Sequence, residues 1–171
     1  MTIIKTKIIL LVTIILCSCG NTKEKESAES TESTTNQQFI QMAERIKIDD
    51  LINSLTKLKN GQTEYNFIGI TSNGIDCIYF IYESGIFNIE FEAMTEDQLP
   101  YIEKLKDFAN VNKFKNLMTT YNNTPMYKSD KPAPVLRIET NYSLDNMVEL
   151  GKRIESEIFG NNKETVYDIV P

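Results

Sequence analysis

Between residues 64 and 93 the chain runs through three strand-like segments separated by two glycine turns, and this constrains the fold more than any other feature. The segments are "EYNFIGIT" (64–71), "IDCIYFIYE" (75–83) and "IFNIEFEA" (86–93), all rich in aromatic and β-branched residues. The third alternates: Phe87, Ile89 and Phe91 point one way, Asn88, Glu90 and Glu92 the other. One face of that strand is therefore buried and one is wet. The second segment is apolar on both sides, which suits the centre of a sheet or a covered face. Asn73-Gly74 is a hairpin signal because both residues tolerate positive φ, and Ser84-Gly85 is a second one. The expectation is an antiparallel meander.

The flanking segments read as helices and further strands. Phe39, Met42, Ile46, Leu51, Leu55 and Leu58 recur at helical spacing, predicting a helix over 39–59 that Asn60-Gly61 stops and Asp49-Asp50 can split. "TEDQ" (95–98) is a capping box before the apolar stripe Leu99, Ile102, Leu105 and Phe108. Phe114, Leu117, Met118 and Tyr121 predict a second short helix over 111–121. The polar, proline-containing stretch 122–134 is expected to be a loop. A strand over 134–141, a helix over 144–159 capped by Ser143 and ended by Gly160, and a last strand over 165–170 complete the order α-βββ-α(α)-β-α-β. This is an α+β fold, an antiparallel β-meander sheet with helices packed on it. The element order loosely resembles that of type III secretion chaperones and the related YbjN-like domains. No motif carries that resemblance, and it implies a fold, not an activity.

The N-terminus reads as an address. Lys5 and Lys7 precede the apolar run "IILLVTIIL" (8–16), with no acidic residue in the segment. This has the charge order and length of a secretory signal peptide, and it is shorter than the about 20 residues a membrane span needs. "LCSC" follows, placing Leu16 three residues before Cys19 and Ser18 directly before it. The stretch resembles the lipobox of bacterial lipoproteins. That resemblance implies a signal peptide over 1–18, cleavage before Cys19, and lipidation of Cys19 by diacylglycerol and a further acyl chain such as palmitate. Cys17 sits where small residues are commoner and leaves with the signal peptide. Gly20, in place of an aspartate after the cysteine, implies sorting to the cell outer membrane. "KEKE" (23–26) resembles signals that place some lipoproteins on the cell surface.

Residues 19–38 are dominated by Ser, Thr, Glu and Lys, with Ala28 the only aliphatic side chain. Such a segment cannot bury enough apolar surface to offset its conformational entropy, so a disordered tether is expected. Its reach is about 25 Å. Residues 39–171 then form a single α+β domain, a size that suits one core.

Composition narrows the chemistry. The chain has no histidine, which removes the commonest general base and transition-metal ligand. Of three cysteines only Cys77 would remain as a free thiol, and a strand cysteine without a nearby base reads as a small core residue. The net charge of −6 becomes −8 once Lys5 and Lys7 leave, so nucleic acid is not an expected partner. No motif for a metal, phosphate or cofactor is present. Glu90 and Glu92 share one strand face and read as solvated carboxylates, as does the acidic pair Asp49-Asp50.

Tyr65, Tyr79, Phe80 and Tyr82 are the candidate binding residues. They form an aromatic binding surface if one sheet face is left uncovered, and core if it is not. Arg137 and Glu139 either flank that face or form an exposed pair. The expected function is a membrane-anchored, non-catalytic domain that binds a protein or peptide in the cell envelope. A small-ligand or lipid carrier is the alternative, and a carboxylate-dependent hydrolase comes third.

Overall fold

The computed structural model describes residues 44–170. Among these, seven strands form one sheet: β1 (Arg45–Lys47), β2 (Phe67–Thr71), β3 (Ile78–Glu83), β4 (Ile86–Glu92), β5 (Lys115–Pro125), β6 (Pro132–Tyr142) and β7 (Val166–Val170). Three helices connect them: α1 (Leu51–Lys59), α2 (Leu99–Val111) and α3 (Leu144–Glu157). The sheet order is β1-β7-β2-β3-β4-β6-β5, and every neighbouring pair is antiparallel. The fold is α+β, with an antiparallel sheet carrying helices, as the patterning leads one to expect.

All three helices pack on one face. Strand register puts Ile68, Phe80, Ile89 and Ile138 in one row, and Ile70, Ile78, Phe91 and Leu136 in the next. These residues form one apolar cluster with Leu51, Leu55 and Leu58 of α1, Ile102, Leu105 and Phe108 of α2, and Met147, Leu150 and Ile154 of α3. Gly151 lets α3 approach closely. A Cβ there would lie 2.9 Å from Leu51 Cδ2 and 3.0 Å from Phe80 Cζ, both side chains fully buried.

Two connections behave differently from their sequence signals. Ser84-Gly85 forms the tight two-residue turn, with φ of 52° and 87° and Glu83 paired to Ile86. Asn73-Gly74 instead lies in a wider loop over 72–77. Asp76 organises that loop, its Oδ1 accepting from Thr71 Oγ1 (2.7 Å) and the Ser72 amide (2.8 Å). A buried carboxylate that recruits three consecutive residues outweighs the turn preference of one dipeptide. The capping box at 95–98 is present, with Gln98 Oε1 accepting from the Thr95 amide at 3.0 Å. Gln98 also donates to the Gly74 and Ile75 carbonyls, tying the start of α2 to the same loop.

Three expected elements are corrected. The helix predicted over 39–59 begins only at Leu51, after a 3-10 turn at Ile48–Asp50. Residues 45–47 are an edge strand, with Ile46 buried between exposed Arg45 and Lys47 and paired to Tyr167. Residues 39–43 lie outside the described residues. The helix predicted over 111–121 is the beginning of β5. Lys113 takes a left-handed φ of 61° and ends α2, and the chain then pairs with β6 from Lys115 onward. The expected loop over 122–134 shrinks to 126–131, with a register shift between Thr120 and Pro125 where Asn122 has φ 44°. Ser143 does occupy the N-cap of α3, but its hydroxyl makes no capping bond; its carbonyl accepts from the Met147 amide.

Candidate functional site

The second sheet face carries no helix among the described residues. Period-two alternation sends Phe67 and Gly69 of β2, Tyr79 and Ile81 of β3, Glu90 and Glu92 of β4, and Arg137 and Glu139 of β6 to this side. Ile81 and Val135 are buried there, yet neither belongs to the helix-side core. Phe67, Tyr79, Ile81, Glu90, Glu92 and Tyr121 line a cavity of about 250 Å³. Phe67 meets Tyr79 edge to face at 5.9 Å, and Tyr65 stacks on Phe67 at 5.3 Å. Gly69 makes room for this arrangement, because a Cβ there would sit 2.8 Å from Tyr79 Cε1.

One boundary of the face is an open edge. β5 pairs only with β6, so its outer amides and carbonyls face away from the sheet. Tyr121 and Leu117 are 41% and 47% exposed on that strand, a large apolar display for an edge. Tyr65, at the far side of the patch, is 47% exposed.

The charges on the face are mostly spoken for. Arg137 Nη1 donates to Glu90 at 3.0 Å and Nη2 to Glu83, while Lys115 pairs with Glu139 at 2.9 Å. Arg137 and Glu139 therefore flank the face but do not pair with each other. Glu90 and Glu92 do share a side; Glu90 is held by Arg137, and Glu92 has no hydrogen-bond or ion-pair partner among the described residues. Burial, then the neighbouring Glu90 charge, pushes the Glu92 carboxyl above its ordinary range. Cys77 lies just before β3 outside the helix-side core, half-buried beside the Tyr79 hydroxyl, and burial pushes its thiol up to about 11.

Of the four aromatic residues singled out from the sequence, the sheet brings two together here. Tyr65 and Tyr79 belong to the uncovered face. Phe80 is fully buried under the helices, and Tyr82 packs on the same side against Phe87 at 4.7 Å between ring centres. Adjacent strand residues point to opposite faces, so Tyr79 and Phe80 cannot share one. Phe67, Ile81 and Tyr121 were not singled out as site residues. Period two within β2 and β3 points to Phe67 and Ile81; Tyr121 carries no such signal, since its spacing reads equally as helical. Cys19, the expected lipidation residue, lies outside the described residues.

A second cluster sits on the helix side, where the 72–77 loop, α3 and β7 meet. Asn161 Nδ2 donates to Asp76 Oδ2 at 2.7 Å and to Glu155 Oε2 at 2.8 Å. Asp76 and Glu155 are each 1% exposed. Burial alone would raise the Asp76 carboxyl, but hydrogen bonds from Ser72, Thr71 and Asn161 outweigh it and hold the carboxyl below its ordinary value. Glu155 goes the other way. Burial, reinforced by the Asp76 charge, pushes it up to about 8, against the lowering bond from Asn161. Glu155 Oε1 and the fully buried Tyr167 hydroxyl have no hydrogen-bond partner of good geometry. Both line a cavity of about 200 Å³ with Ile48, Lys152 and Asn161.

No family model matches the chain, and no curated protein and no solved structure matches it.

Proposed function

We propose that the protein is a lipid-anchored lipoprotein of the bacterial cell envelope, most simply of the outer membrane, whose uncovered sheet face binds a protein or peptide without catalysis. One observation carries the binding half of this reading: three helices share one face, leaving the other with an aromatic-lined cavity beside an open strand edge. Peptides that add a strand to a sheet edge draw affinity from main-chain hydrogen bonds and specificity from side-chain pockets next to that edge. β5 offers the edge, and the cavity bounded by Tyr121 offers the pocket. The anchoring half rests on the lipobox-like "LCSC" ending at Cys19 and on the polar tether of 19–38.

Both halves are testable. Cys19→Ala should abolish incorporation of labelled palmitate, whereas Cys17→Ala should leave it unchanged; labelling that survives Cys19→Ala refutes the anchor. Cross-linking of the native protein in intact cells should capture a reproducible partner through β5, and Tyr121→Ala should remove it. Capture that is indifferent to Tyr121→Ala refutes the assignment of the face.

The other two readings have weaker support. A lipid carrier needs an enclosed apolar cavity of some hundreds of Å³. The 440 Å³ groove between α2 and α3 is rimmed by Lys104, Asp107, Arg153 and Glu157, which suits water more than acyl chains. A carboxylate hydrolase would draw on Asp76 and Glu155, whose environments drive their pKa values apart. Yet both Asp76 oxygens accept hydrogen bonds from the protein, and neither carboxyl is more than 1% exposed.

A further inference from the structure

The open-face cavity holds one charged side chain with no partner among the described residues. Glu92 is half-buried among Phe67, Tyr79, Ile81 and Tyr121, and no cation of the described residues lies against it. The cations on the strands beside it are engaged elsewhere, Arg137 of β6 with Glu83 and Glu90, and Lys115 of β5 with Glu139. A carboxylate taken out of water without a cation is costly, and one that keeps such a position is a site candidate. Its surroundings are specific. The ring faces of Phe and Tyr carry negative charge density and attract a cation within about 6 Å of the ring centre. Ile81, only 7% exposed, supplies an apolar wall for a hydrocarbon stem. The volume, about 250 Å³, is below the roughly 300–1,000 Å³ of pockets that enclose whole small molecules. It fits one side chain of a larger ligand.

We infer that this cavity receives the side chain of a lysine carried on a bound peptide, its methylene stem against Ile81 and the aromatic rings and its ammonium against Glu92. An ammonium is a compact point charge that one carboxylate can match. The inference rests on the reading of the open face as a peptide-binding surface, and it adds the chemistry of the residue that enters it.

The test uses the mature chain in detergent micelles and three acetylated, amidated pentapeptides, with lysine, norleucine or glutamate at the centre. Free 1,5-diaminopentane is the fourth probe. Binding is followed by the ring signals of Tyr79 and Tyr121 in NMR titrations. The lysine peptide should saturate these shifts, and the norleucine peptide should bind about tenfold or more weakly, as loss of a partly desolvated charge pair implies. Glu92→Gln should weaken the lysine peptide by the same factor and leave the norleucine peptide unchanged, its own spectrum reporting that the fold is intact. Equal binding of lysine and norleucine peptides, both lost in Tyr121→Ala, overturns the lysine assignment and leaves the peptide-binding surface standing. Shifts produced by diaminopentane but by no peptide overturn a peptide-borne source in favour of a free amine. If no lysine or amine probe moves either ring, the inference is wrong.

Discussion

Glu155 makes the stability of this protein depend on pH in a way that can be worked out in advance. The carboxyl is 1% exposed, bonded through one oxygen to Asn161 and faced by Asp76, Tyr167 and, across the small cavity, Lys152. Its value in the fold is about 8, against 4.5 for the ordinary group. The folded state therefore holds the proton more tightly than the unfolded state. Stability is greatest below the unfolded value, falls as pH rises through the interval between the two, and levels off above the folded value. An interval of about 3.5 units at about 1.4 kcal/mol each sets a ceiling of ~5 kcal/mol, and entry of water past Asn161 should reduce the realised loss to about 2–5 kcal/mol.

Glu92, whose carboxyl is also raised, adds a slope of the same sign at the start of this window. No histidine exists to titrate inside it, and the Cys77 thiol lies above it. Asp76 has the opposite sign, since a lowered carboxyl contributes stability that disappears only as pH falls below its ordinary range. Urea unfolding at pH 5, 7 and 9 provides the assay, with Glu155→Gln as the variant. The wild type should lose stability from pH 5 to 9. Glutamine keeps the acceptor for Asn161 and cannot ionise, so the variant should lose much less stability over this range and overtake the wild type at pH 9. Parallel curves for the two proteins, or a wild type most stable at pH 9, would refute the argument.

Other predictions concern packing. Tyr167→Phe removes a buried hydroxyl that has no partner of good geometry, so it should be neutral or stabilising by up to about 1 kcal/mol in thermal unfolding, where most buried Tyr→Phe changes destabilise. Gly151→Ala gains about 1 kcal/mol of helix propensity but drives a methyl against Leu51 and Phe80. A net loss of about 1–2 kcal/mol in the same assay is expected, and a net gain would show that α3 can lift off the sheet at little cost. Gly69→Ala should displace the Tyr79 ring, seen as a changed ring-current shift at Val170, and should weaken any ligand of the open face.

Much of the fold was legible because the signals are local. Phe87, Ile89 and Phe91 alternate within a single strand, Ser84-Gly85 needs only its own two φ angles, and Gln98 reaches back three residues to Thr95. The 114–121 segment shows the limit. Phe114, Leu117, Met118 and Tyr121 satisfy a helical stripe, and nothing local contradicts it. The strand wins because β6 supplies a full ladder of partners from Glu139 to Pro134. Ile46 fits the helical spacing for the same reason; its strand partner, Tyr167, is far away along the chain.

The candidate site divides the same way. Which of Tyr79 and Phe80 shares a face with Glu92 follows from period two, so that much was available in the sequence. That the Tyr79 face carries no helix of the described residues was not, because it depends on α1, α2 and α3 all crossing to one side of the sheet. Tyr121 lines the same cavity as Phe67 although β3, β4 and β6 stand between their strands, and the β5–β6 pairing shifts register around Asn122. Glu155 and Asp76 are separated by most of the domain and meet through Asn161. The sequence by itself determined the meander of β2 to β4 with its Ser84-Gly85 turn, the α2 and α3 stripes, the capping box at 95–98, and the address-like pattern ending at Cys19, all of which are relations between near neighbours. Tertiary structure decided which face the described helices leave bare, which half-buried carboxyl has no cation of the described residues against it and which is pushed up to about 8. Those depend on desolvation and on charges brought close by folding, and neither is a property of a residue's neighbours in the chain.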